Sequence, residues 1–245
     1  MPGRPDTSRR TPVVEVCVDS VAGAELAAAA GADRIELCAA LETGGLTPSA
    51  GLIACCVDLL PTSVLVRPRT GDFAYGAGEL RVAVEDVARA AGAGAAAVVV
   101  GALTSDAAVD RDALDRLVAA AGGVPVGFSR AFDSTAAPLA SFDVLLEAGV
   151  ARLLTSGAAP VAAEGTDLLA ELVRRAGSRV EVIAAGGLTP GTVARVVAAT
   201  AVPAVHFSAT RPGAPVAGTG MPQLPPLRVP DRGLLAELVA AARSG

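Results

Sequence analysis

Two carboxylates, two thiols, two guanidiniums and the single imidazole of this chain fall where strand alternation turns them the same way. In the run Val13–Val18, Glu15 and Cys17 oppose Val14, Val16 and Val18. In the next apolar run Glu36 and Cys38 oppose Ile35 and Leu37. Further on, Leu65, Arg67 and Arg69 oppose Val64 and Val66, and His206 and Ser208 oppose Val205 and Phe207. Side chains alternate across a strand, so each apolar set belongs under a covering layer and each polar set on the opposite face. The run around Gly127 and Ser129 is ambiguous: those two fit the polar face, which turns Arg130 outward unless the strand end twists. Carboxylates and imidazole can move protons, and guanidiniums can hold an anion.

The elements that must position these groups repeat. Eight short apolar runs, Val13–Val18, Arg34–Ala39, Ser63–Arg69, Ala96–Ala102, Pro125–Ala131, Arg152–Gly157, Glu181–Gly187 and Ala204–Ala209, alternate with Ala- and Leu-rich stretches of helical length. Such alternation predicts βαβ units and a parallel sheet. Eight units in 245 residues predict a single α/β domain, a (β/α)8 TIM barrel over residues 13–245. An open doubly wound sheet is the alternative, but no strand is followed by GxGxxG. Gly31 and Gly149 sit where helices should end, each shortly before a new run. The string GGLTP occurs twice, at Gly44–Pro48 and Gly186–Pro190, where Thr is placed to cap the next helix.

Composition narrows the chemistry. Hydrophobic residues make up 52% of the chain, enough for one large core. All 20 basic residues are Arg, the net charge is −5 and no basic stripe appears, so nucleic acid is not an expected partner. No run is long enough to span a membrane, and residues 1–12 read as a disordered polar leader. Four cysteines in such a chain fit free thiols and a cytoplasmic location. Without lysine there is no Schiff-base aldolase and no covalently attached pyridoxal phosphate, and no nucleotide cofactor is expected. A Ser-His-Asp hydrolase is disfavoured by the lack of a GxSxG elbow.

Barrel enzymes work at the C-terminal ends of their strands. Arg67, Arg69, Asp72, Arg130, Asp133, Ser156, Gly157, His206 and Ser208 lie at or just past those ends. Acid–base chemistry then falls to Glu15, Glu36, Asp72 or His206. The substrate is a small phosphorylated or carboxylated metabolite held by Arg67, Arg69 and Arg130, with Asp133, Ser156 and Gly157 nearby. Gly186, Gly187 and Ser208 occupy the loops after strands seven and eight, where barrels commonly bind phosphate. The alternative is internal neutralisation, with Glu15 and Glu36 paired to Arg67 or Arg130. The Pro-rich stretch 211–230 reads as an irregular loop over the mouth.

The blocks Glu36–Ser49 (ELCAALETGGLTPS), Val66–Tyr75 (VRPRTGDFAY), Phe128–Asp133 (FSRAFD), Leu153–Gly157 (LLTSG) and Val205–Thr210 (VHFSAT), with Glu15–Ser20 (EVCVDS) before them, resemble the CutC copper homeostasis family. The resemblance runs in order from about Val14 to Thr210. It implies a cytoplasmic TIM barrel, a homodimer, a role in copper tolerance, and a mouth like that of an enzyme with no assigned reaction. The family's usual Phe-His-Arg is Phe128-Ser129-Arg130 here, so His206 is the only imidazole. Cu(I) is soft and prefers thiolates. Cys17 and Cys38, on neighbouring strands and one face, are the candidate copper ligands, although buried Cys often only packs. Cys55 and Cys56 are adjacent in a helix and point apart. Zinc lacks its usual ligand set.

Overall fold

The computed structural model describes residues 11–213 and 227–244. Eight parallel strands close into a barrel in chain order: β1 (Val13–Val18), β2 (Arg34–Leu37), β3 (Thr62–Leu65), β4 (Ala97–Val100), β5 (Val126–Phe128), β6 (Arg152–Thr155), β7 (Glu181–Ala185) and β8 (Ala204–Phe207). Closure is made by β1 and β8, with Glu15 opposite His206, while Cys17 stands opposite Glu36 on β2. The TIM barrel expected from the repeat is the fold. Residues 1–10 of the expected leader (residues 1–12) and residues 214–226 of the Pro-rich stretch lie outside the described residues.

Helices cover the barrel because their apolar positions recur at helical spacing. In α3 (Ala77–Gly92) Leu80, Ala83, Val87 and Ala90 are buried, and Glu79 accepts from the Gly76 N–H to close its first turn. Ser20 caps α1 (Val21–Ala29), where Ala24 and Ala27 let the helix lie close to the strands. The last helix, α8 (Arg232–Arg243), is capped by Asp231, and its Arg243 donates to the Gly31 carbonyl and Asp33. Gly31 and Gly149 adopt left-handed backbone at the predicted helix ends.

Three sequence expectations change. Thr47 does not cap the next helix: α2 (Ala50–Cys56) is capped by Ser49, while the Thr47 hydroxyl accepts from the Arg67 N–H. Nor does Thr189 cap its helix: Thr192 precedes α7 (Val193–Thr200), and the Thr189 N–H donates to its hydroxyl. The ends of the Pro-rich stretch are not irregular, since β9 (Thr210–Pro212) and β10 (Arg228–Pro230) pair antiparallel and Arg228 donates to Thr210.

Two cores result. The larger lies between strands and helices and takes the outward valines of β1 and β3 with Ile35 and Leu37. The smaller fills the barrel: Cys17, Cys38, Leu65, Val99, Leu154, Ile183, Ala185 and Ala204. Below it, at the N-terminal ends of their strands, Arg34, Arg152 and Glu181 form a charged layer.

Candidate functional site

A cavity of about 360 Å³ opens at the C-terminal end of the barrel. Cys17, Glu36, Leu65, Leu154 and His206 line it from the strands. Loops contribute Leu41, Gly44, Arg67, Phe73, Ser129, Arg130, Gly186, Gly187, Leu188 and Ser208.

His206 is the centre of the polar contacts. Its Nδ1 lies 2.8 Å from Glu15 Oε1, and its Nε2 lies 3.7 Å from Glu36 Oε2. An ionised carboxylate only accepts, so the His206 Nδ1–H donates to Glu15, and whenever the ring is neutral its lone pair is at Nε2. Burial pushes the Glu15 carboxyl up, but the His206 hydrogen bond, the His206 charge and Arg34 outweigh it and bring it down to about 2. Burial lowers His206, and the negative charges of Glu36 and Glu15 reverse this, leaving it above its ordinary value. Glu36 is raised, chiefly by burial. The Cys17 thiol donates to Glu36 at 3.4 Å and lies 3.8 Å from the Cys38 sulfur. Its hydrogen bond to Cys38 and its burial raise it well above the usual thiol range.

Glu15 itself lies beneath the cavity, fully buried. Its second oxygen accepts from Arg34 Nε at 2.6 Å, and Arg34 then grips both oxygens of Glu181. Arg152 crosses the barrel to donate to Ser63, whose hydroxyl donates to Glu15. The alternative pairing of Glu15 and Glu36 with Arg67 or Arg130 is therefore not what forms. Arg34 is on the adjacent strand, in register with Glu15, whereas Arg67 and Arg130 stand above the strand ends. Sequence reading missed Arg34, Arg152 and Glu181. Each opens its strand, and Arg34 is one inward step before Glu36, so parity extended backward finds it.

Arg67 reaches the cavity wall by continuing the inward parity of β3 beyond Leu65. Its Nη1 donates to the Thr43 and Gly45 carbonyls and its Nη2 to the Gly71 carbonyl, while Phe73 lies over the guanidinium at 4.9 Å. Arg69 does not face inward: the strand ends at Leu65, and Arg69 instead ties Asp72 in the following loop to Glu79 in the first turn of α3, beside Tyr75. Asp72 is exposed there and does not line the cavity, although its neighbour Phe73 does.

The ambiguity at β5 is settled by its end. The strand stops at Phe128, and a 3-10 turn over Arg130–Ser134, capped by Ser129, brings Arg130 to the cavity rim. Its Nε donates to Asp133 and its Nη2 to Ser156. Asp133 also accepts from the N–H groups of Ser156 and Ala158, so it organises the loop after β6. Ser156 donates to the Ala159 carbonyl, and Gly157 packs against the Gly165 backbone. Asp133, Ser156 and Gly157 thus support Arg130 and do not line the cavity. Gly186 and Gly187 do line it, both at positive φ; a Cβ on Gly186 would stand 2.8 Å from the Arg130 guanidinium carbon.

The metal-ligating candidates separate. Cys17, Glu36 and His206 each offer one ligand atom, all within 4.8 Å of one another. Cys38 is fully buried behind Cys17 and does not line the cavity. Cys56 is buried and Cys55 exposed, the opposite directions expected of neighbours in a helix.

Known proteins share this frame. A solved structure from Streptococcus agalactiae, named as a copper homeostasis protein CutC, superposes with a TM-score of 0.76 at 31% identity, over 80% of this chain and 98% of that one. The isomerase of N-(5'-phosphoribosyl)anthranilate from Pyrococcus furiosus, at 18% identity and a TM-score of 0.56 over 96% of this chain and 100% of its own, shares the barrel fold alone. A family protein CutC of Mesorhizobium japonicum is 42% identical over 207 residues, 84% of this chain and 80% of the relative. With the CutC family model matching residues 12–211, which span every barrel strand, the chain belongs to the CutC family.

Proposed function

We propose that this protein is an enzyme that performs acid–base chemistry on a small anionic metabolite, with His206 as the proton-transferring group. The observation that carries this reading is the setting of His206: anchored through Nδ1 by a buried, ionised Glu15, it turns Nε2 toward Glu36 at the floor of a cavity. A base oriented by a carboxylate is the arrangement general base catalysis uses. Arg67 and Arg130 at the wall and rim supply positive charge for the substrate's anionic group. Glu36, its carboxyl raised above the ordinary value chiefly by burial, is the second proton-carrying group, beside Nε2. Cys17 shields Glu36 from one side. Asp72 and Arg69 have no part in the step.

The test is solvent exchange. The protein is incubated in D2O with a panel of small phosphorylated and carboxylated compounds, and deuterium incorporation is read by mass spectrometry. At least one compound should be labelled by the wild type and unlabelled by His206→Gln, a loss of roughly 10²-fold or more. A panel left unlabelled, or labelling unaffected by His206→Gln, overturns the reading.

One observation favours a second reading, a Cu(I) site in keeping with the copper homeostasis name of the Streptococcus agalactiae relative. Two sulfurs 3.8 Å apart, with an imidazole nitrogen beside Cys17, form a soft donor set. Cys17 and Cys38 would hold the ion, and His206 could complete the set. The four cysteines are free, as a reducing compartment would keep them. Cu(I) should then bind one-to-one against a competing chelator. Binding should vanish in Cys17→Ser with Cys38→Ser and survive Cys55→Ser with Cys56→Ser. Uptake that follows only the helix thiols removes this reading.

A further inference from the structure

The two GGLTP loops, one after β2 and one after β7, do the same thing at the mouth: each seats an arginine. Gly44 and Gly45, both at positive φ, let the first loop close on Arg67, and a Cβ on Gly44 would stand 3.2 Å from its Nη1. Gly186 leaves room for the Arg130 guanidinium in the second. Arg67 belongs to the end of β3 and Gly186 to the end of β7, four strands apart in an eight-stranded barrel and hence across it. His206 and Glu36 lie on the floor of the cavity.

Charge accounts for what each side lacks. In the layer below, Glu15, Arg34, Glu181 and Arg152 pair two carboxylates with two guanidiniums. Arg67 is different. It is only 8% exposed, and among the described residues no carboxylate lies within salt-bridge distance of it. Three backbone carbonyls and the Phe73 ring take up Nη1, Nη2 and the guanidinium face, and Nε is buried with no hydrogen-bond partner among the described residues. A buried cation without a counter-charge is costly, as is a buried N–H without an acceptor. A singly charged anion in the cavity answers the missing counter-charge, and a carboxylate supplies that charge with less excess than a phosphate dianion. Arg130 is the converse: it is half-exposed at the rim, partly neutralised by Asp133, and packed against Gly186, where the missing side chain lets the backbone and the guanidinium share the edge of the cavity.

We propose that the cavity takes a small organic acid with two separated anionic groups, a carboxylate at Arg67 and a phosphate at Arg130 and Gly186, with the carbon between them over His206. The proposal rests on the acid–base reading of the same site and narrows its substrate to phosphorylated carboxylic acids.

Linked and unlinked probes test it, using the full chain in calorimetric titrations at fixed ionic strength. The probes are inorganic phosphate, acetate and 3-phosphoglycerate. Joining two groups that bind separate sites makes the second contact intramolecular, so 3-phosphoglycerate should bind at least about tenfold more tightly than either part. Arg67→Met should bring it down to the phosphate level and leave phosphate binding intact. Arg130→Met should bring it down to the acetate level; Arg130 is half-exposed, so this variant decides the matter if Arg67→Met does not fold. Equal binding of 3-phosphoglycerate and phosphate, or an advantage that survives the variant that folds, overturns the two-anion proposal. Labelling from D2O that still depends on His206 would then leave the acid–base reading standing. No binding of any probe, together with no labelling, removes both.

Discussion

Glu15→Ala should cost about 3–5 kcal/mol of unfolding free energy. Its carboxylate is fully buried and serves Arg34, His206 and Ser63 at once. Among the described residues, truncation leaves Arg34 with Glu181 as its one carboxylate partner, and leaves the His206 Nδ1–H with none. The loss is the penalty of orphaned buried groups, which exceeds the net worth of the intact pair. An exposed pair gives the contrast. Arg174 lies 2.6 Å from Glu171 on the surface of α6 (Thr166–Ala176), yet Arg174→Ala should change stability by at most about 1 kcal/mol. Urea unfolding of both variants beside the wild type measures the difference. A Glu15→Ala loss below about 1 kcal/mol would mean that water reaches the layer and the network carries little.

Much of this interior is legible in the sequence because a period of two has only one free choice. Once the valines of β1 are placed under the helices, Glu15 and Cys17 must point inward, and the same step fixes Glu36, Cys38 and His206. The rule holds only where strand geometry holds. Arg67 kept its parity two residues past β3, but at Arg69 the chain had turned into a loop, so Arg69 and Asp72 left the site. Arg130 was resolved by a 3-10 turn that no alternation pattern signals.

Other features hid behind competing physical roles. A charged residue opening a strand reads as a solvated edge, which is why Arg34, Arg152 and Glu181 escaped notice; only their mutual pairing makes the interior tolerable for them. Asp133 and Ser156 were correctly placed near the mouth in the chain, but position does not reveal that they satisfy each other's loop. The repeated GGLTP suggested caps and an anion nest. In the structure the first glycine of each pair makes room for a guanidinium, a role visible only once strands distant in sequence are brought together.

The pH dependence of the same network is the second large effect. Glu15 is depressed from 4.5 to about 2, so its contribution is fully present above pH 4.5 and is lost as pH falls from there toward 2. A shift of that size corresponds to about 3 kcal/mol. Other carboxylates also weaken the fold in acid, so the measured quantity is the gap in unfolding free energy between wild type and Glu15→Gln. That gap should be widest near neutrality and close between pH 4.5 and 2. On the other side, His206 is raised above 6.5, so what its charged form contributes is complete below 6.5 and fades as pH rises through the folded value. Glu36, also raised, favours its protonated form in the folded chain and so subtracts stability as it ionises above 4.5. The charged groups around the ring are Glu15 and Arg34 on its anchored side and Glu36 beyond Nε2. Since the chain has one histidine, its Cε1 proton is a single assignable NMR signal. The signal should titrate above pH 6.5 in the wild type and lower in Glu36→Gln, where one of the two negative neighbours is gone. A wild-type midpoint below 6.5 would show that burial prevails over the two carboxylates, and that the ring stays neutral where the proposed proton transfer needs it poised.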